Sequence, residues 1–146
     1  SSDLEHYDEA ICLYEKAIAE EPNFELPYVC ILFCLRQTNN PLLEFWIERA
    51  IKAMPKDPGI ALEYARYLYM TGRLDQLADA DWIDHLEARV DIDFSIVGRG
   101  EKDSRLIACA QLWREIGYVS RDDDIQHLER ALNLLEMLGP ENRDLV

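Results

Sequence analysis

Histidine, cysteine and clustered carboxylate are the side chains in this sequence equipped for catalysis or metal binding, so their spacing is decisive. His6, His85 and His127 fall in three distant segments of helical character. Each is expected as a partly exposed helix residue rather than a ligand or base. Cys12, Cys30, Cys34 and Cys109 form no CxxC pair, which argues against a disulfide framework or a zinc cluster. Cys30 and Cys34 lie four apart on one helix face, half of a metal site, but no His or second Cys pair stands nearby at ligand spacing. All four are expected as free thiols on packing helix faces in a reducing compartment.

The carboxylates are equally uncommitted to chemistry. Asp91, Asp93, Glu101 and Asp103 invite a calcium reading, but that loop pattern needs Gly where Ile96 stands and Glu where Lys102 stands. Asp122, Asp123 and Asp124 precede a helix and read as N-cap and dipole-favourable charge. Gly98-Arg99-Gly100 lacks the strand, helix and further glycines of a dinucleotide fingerprint. Trp82 and Trp113 are expected in packing. The expectation is therefore no catalytic residue, no metal and no cofactor. A carboxylate-based hydrolase using the Asp91 to Asp103 loop is a minor alternative.

The chain has 146 residues, 49% hydrophobic, with six glycines and six prolines, a composition that packs a core without disulfide staples. Its 29 acidic against 15 basic side chains give a net charge of -14, a field that repels phosphate backbones. Direct nucleic-acid binding is not expected. The longest apolar run, Tyr28 to Leu35, is far short of the roughly 20 residues that span a bilayer, so no membrane insertion of this segment is expected. The segment is on that ground expected to be soluble, and a cytoplasmic location is expected; there is no leader pattern at the start, and the absence of an initiating Met points to a processed chain or a fragment of a longer protein.

Apolar spacing predicts helices throughout. Leu4, Tyr7, Ala10, Ile11, Tyr14, Ala17 and Ile18 make a stripe over Asp3 to Glu20, stopped by Pro22. Further helices are predicted over Glu25 to Gln37, Pro41 to Met54, Ile60 to Met70 and Leu74 to about Ala80, with Trp82 to Val90 helical as well. The period disappears between Asp91 and Asp103, read as an irregular loop packed on the body. Ser104 to Ile116, closed by Gly117, and Asp123 to Leu138, closed by Gly139-Pro140, form a last pair. The parts are thus helix pairs over 1–80, a divergent helix and loop over 81–103, and a C-terminal pair over 104–146, in one structural domain.

The sequence repeats. EAICLYEKAIAEEP (Glu9 to Pro22) recurs loosely as LLEFWIERAIKAMP (Leu42 to Pro55), with Ala17 on Ala50, Ile18 on Ile51 and Pro22 on Pro55, a shift of 33 residues. Ala10, Tyr14, Ala17 and Pro22 follow the small, aromatic, Ala, Pro order of the second helix in the tetratricopeptide repeat family, which residues 7 to 77 resemble. Tyr28, Ile31 and Leu35, then Tyr64, Ala65, Leu68 and Gly72, occupy its first-helix scheme. The run from Pro55 to Leu77 is also similar to the half-TPR repeats of RNA-processing scaffolds, though their usual Trp and Glu are missing.

The resemblance implies an all-α, right-handed superhelical stack of antiparallel helix pairs, whose first helices line a concave groove for peptides. Carried onto this chain, the groove set is Val29, Cys30, Phe33, Arg36 and Gln37 in one unit and Leu62, Glu63, Arg66, Tyr69 and Met70 in the next. The family's carboxylate clamp needs Lys and Asn at such positions and is absent. Arg36 and Arg66 remain as anchors for an acidic group, or else lie along the surface paired with neighbouring Glu or Asp. The implied function is a scaffold that binds a partner protein or peptide. The alternative is a structural module that packs within a larger assembly, of RNA-processing or periplasmic type, or against a copy of itself as a homo-oligomer.

Overall fold

A computed structural model describes residues 2–87 and 99–140. Among them the chain is helical without a strand: α1 (Ser2–Glu20), α2 (Glu25–Gln37), α3 (Leu43–Ala53), α4 (Pro58–Met70), α5 (Leu74–Ala78), a short 3-10 helix (Asp81–His85), α6 (Arg99–Asp122) and α7 (Ile125–Leu138). Two compact units result, Ser1–Pro55 and Lys56–Val146. The division after Pro55 lies inside the segment 1–80 read from the sequence as one run of helix pairs.

Local signals account for the helix ends. Asp57 caps α4, its carboxylate accepting the Ile60 N–H at 3.0 Å, with Pro58 in the first turn where no intrahelical N–H is needed. Asp124 caps α7 in the same way, accepting from Gln126 N–H at 2.9 Å. The Asn40 side chain accepts from Leu42 N–H at 2.9 Å ahead of α3.

The 33-residue period extends from sequence into geometry. α2 and α4 have the same length of 13 residues and start 33 residues apart. They also end alike. The Thr38 hydroxyl donates to the Cys34 carbonyl at 3.0 Å, and the Thr71 hydroxyl to the Tyr67 carbonyl at 2.8 Å. The next residues, Asn39 (φ 49°) and Gly72 (φ 74°), are both left-handed. Asn40 N–H then bonds the Leu35 carbonyl at 2.9 Å and Arg73 N–H the Leu68 carbonyl at 2.8 Å, satisfying orphan carbonyls at each helix end.

In the first unit α1 packs on α2 and α2 on α3. Its buried side chains include Ile18, Tyr28, Ile31, Leu32, Leu35, Trp46, Ile47 and Ala50. The second unit is built around α6, which contacts α4, α5, α7 and the 3-10 helix. Leu62 of α4 packs with Ala108, Cys109 and Leu112 of α6 and with Ala131 and Leu138 of α7. Ala65, Leu68 and Leu77 form a second cluster, against which Tyr69 and Trp113 pack, and Ala80, Ile83 and Ala110 a third. Short side chains along α6 admit this many neighbours at close range.

Three expectations need correction. Gly117 does not close a helix: it is buried mid-helix, and α6 runs to Asp122, breaking at Asp123 with φ 54°. The start of α6 at Arg99 makes 99–103 helical rather than loop. The described part of Trp82 to Val90 is not an α-helix but the 3-10 turn Asp81–His85, followed by extended Leu86. Residues 88–98, including Asp91 and Asp93, lie outside the described residues.

Candidate interaction surface

The amphipathic stripe of α1 turns Tyr7, Ala10 and Tyr14 toward α2, where Val29, Cys30, Phe33 and Cys34 face them across an open groove. His6 stands at its edge, and the cavity has a volume of about 480 Å³. Phe33 is 45% exposed although large and aromatic, which leaves apolar surface at the mouth of the groove. The Tyr14 hydroxyl hydrogen-bonds Cys30, and this contact, with the nearby thiols and burial, pushes Tyr14 above its ordinary pKa. Burial likewise raises Cys34. Both groups are thus held neutral in a groove of apolar character.

The sequence-derived groove residues separate into two groups. Val29, Cys30 and Phe33 line the α1/α2 groove. Arg36 is half-buried and its guanidinium lies 5.8 Å from the Phe33 ring centroid, and Gln37 is exposed at the end of the same helix. On α4 the corresponding positions other than Met70 are covered. Leu62, at 3% exposure, is in the α4/α6 core and presents no surface to a partner. Tyr69 packs on Trp113 with ring centroids 5.2 Å apart, and Arg66 pairs with Glu63 at 3.1 Å, both side chains largely buried. Met70 is exposed. The groove expected from the resemblance runs along successive first helices; the groove seen on α2 lies instead against α1, and α6, beyond the reach of the repeat, packs on α4.

Of the side chains first considered for chemistry, His127 has structural partners. His127 is half-buried, its Nδ1 against the Glu115 carboxylate and its ring stacked on Tyr118 with centroids 4.0 Å apart. It ties α7 to α6. His6 and His85 are exposed, and Asp103 is buried on α6. No cluster of three or more His, Cys, Asp or Glu with metal-binding geometry occurs among the described residues. Cys12 is exposed, contrary to the expectation of a packed thiol, because its position on α1 turns away from α2, whereas Cys34 and Cys109 are buried.

A second cavity of about 430 Å³ lies in the other unit, lined by Tyr64, Leu68, Asp75, Gln76, Asp79 and Trp82. Tyr64 and Trp82 stack at 5.4 Å, while Arg121 reaches Asp75 at 3.4 Å and Asp79 at 3.6 Å. Its carboxylates are therefore already engaged by an internal cation. No described helix is long and apolar enough to cross a membrane. No protein-family model, curated protein or solved structure matches the chain.

Proposed function

We propose that the chain is a protein-interaction module of the tetratricopeptide kind and that the α1/α2 groove receives an apolar-faced helical segment of a partner protein. The observation that carries this reading is the open row of Tyr7, Ala10 and Tyr14 opposite Val29, Cys30 and Phe33. Phe33 is exposed and the others are half-buried, and apolar surface left uncovered in a groove of this kind marks interaction sites.

The packing of the other unit supports a helical occupant. There α4 packs against both α5 and α6, and in the repeat read from the sequence α1 corresponds to α5, with a further helix following each in the chain. A helix laid against α1 and α2 would reproduce that three-helix packing and bury both apolar stripes. The acid excess of the chain favours a partner with basic residues beside its apolar face.

Selection of helical peptides from a displayed library on the whole chain tests the reading. Selected ligands should lose at least about tenfold in affinity with Phe33→Ala or Val29→Asp, in line with an aromatic anchor at a groove centre. They should be indifferent to Lys52→Glu on exposed α3 surface. Ligands untouched by both groove variants would sink the proposal.

A further inference from the structure

Helix α7 of the second unit carries two apolar faces where one suffices for packing. Ala131 and Leu138 are buried against α6, with Leu134 packed beside them. A separate set, Ile125, Leu128, Leu132 and Leu135, remains between 43% and 69% exposed. Its intervals of three, four and three residues are those of a heptad seam, in which each side chain enters a hole between four residues of a facing helix. At about 100° per residue the exposed stripe lies roughly a third of a turn from the buried one. Its other flank carries Glu129 and Glu136, both exposed.

From this register and charge we infer that the outer face of α7 is a second docking surface, taken by an amphipathic helix of another protein with Lys or Arg beside its own apolar seam. An exposed seam of four large aliphatic side chains on one helix is costly in water, and a facing helix is the shape that fills heptad holes. The flanking charge selects the partner. Glu129 and Glu136 occupy the position next to the seam where coiled-coil partners place the opposite charge. A second copy set antiparallel along the stripe would instead bring its own two glutamates to the same edge, where like charges repel. This surface is independent of the α1/α2 groove, since it lies wholly on α7 of the other unit.

The test uses the full chain and two synthetic helical peptides with the same leucine seam, one flanked by Lys and the other by Glu. The Lys peptide should bind, the Glu peptide at least about tenfold more weakly, and the difference should shrink as salt is raised. Leu128→Glu with Leu132→Glu should abolish binding while leaving the circular dichroism spectrum intact, because both residues are exposed. Phe33→Ala should leave it unchanged, which separates this surface from the proposed groove. Equal binding of both peptides, or of neither, overturns the inference. So does a chain that sediments as a dimer and becomes monomeric with the double substitution, since a second copy would then be the occupant.

Discussion

Gly117 of α6 stands directly against Leu77 of α5: a Cβ added at Gly117 would lie 2.9 Å from both Leu77 Cγ and Cδ2. The glycine is there for the close approach of the two helices, not to end one. Gly117→Ala gains about 1 kcal/mol of helix propensity but forces Leu77 out of its buried position, an overpacking cost of about 1 to 3 kcal/mol. The net expectation is a less stable protein. In a Leu77→Ala background the obstruction is gone and the same substitution should stabilise. Urea unfolding of the four proteins in this cycle decides, and a destabilising effect of equal size in both backgrounds would mean that the contact is not the cause.

That residue also marks where sequence reading reaches its limit. The period of 33 residues and the bounds of α2 were legible because the prolines at 22 and 55, the polar turn Thr38 to Asn40 and the apolar run of α2 agree there. Gly117 was misread because glycine carries two meanings, a left-handed stop and a missing side chain, and only the neighbouring helix distinguishes them. Val29 and Phe33 were singled out through the family resemblance, for a groove along successive first helices, whereas here they face α1. Tyr7 and Tyr14 across from them were read only as a packing stripe, because the sequence does not say which stripes remain uncovered. The exposed seam on α7 was visible as spacing, yet Ile125, Leu128, Leu132 and Leu135 carry the same signal as core residues.

The four thiols should fall into two classes. Burial raises Cys34 and Cys109 above the ordinary thiol pKa, and the thiolate is the reacting form. With a small aromatic disulfide reagent near pH 8, exposed Cys12 should react first and groove-lining Cys30 next, while Cys34 and Cys109 should wait for unfolding. Mass spectrometry of partly labelled protein reads the order. Early labelling of Cys109 would contradict its place in the α4/α6 core.

Arg114 joins α6 to the 3-10 helix, donating to the Ala80 carbonyl at 3.1 Å and to the Asp84 carboxylate at 2.7 Å. The guanidinium holds Asp84 below the usual carboxylate pKa. A lowered folded-state pKa gives stability that is present above about pH 3.9, the unfolded value, and is lost as pH falls through the folded one. Asp84→Asn should therefore lower Tm slightly near neutral pH, with the difference from wild type vanishing as both proteins are taken toward pH 2. Asp84 is largely exposed, so the effect is screened and small. Arg114→Ala should cost more at every pH, because it also removes a donor to the Ala80 carbonyl, leaving it the Ile83 N–H at 3.2 Å. A pH-independent Asp84→Asn difference would refute the assignment.

The alanines that revealed the repeat should differ in tolerance, although the sequence treats them as equivalent. Ala50 on α3 is completely buried, whereas its counterpart Ala17 on α1 is half-buried. An isopropyl group added to the Ala50 methyl has no void to enter, since close-packed interiors accommodate new methylenes only by displacing neighbours. Ala50→Leu should therefore cost about 1 to 3 kcal/mol. At Ala17 part of the larger side chain can turn toward solvent, so Ala17→Leu should cost clearly less. The two substitutions, compared by thermal unfolding with Lys52→Glu as an exposed control, separate repeat position from actual burial. Equal large losses at both alanines would mean that α1 is packed as tightly as α3. An Ala50→Leu protein as stable as the control would remove the close helix contact on which the repeat assignment rests.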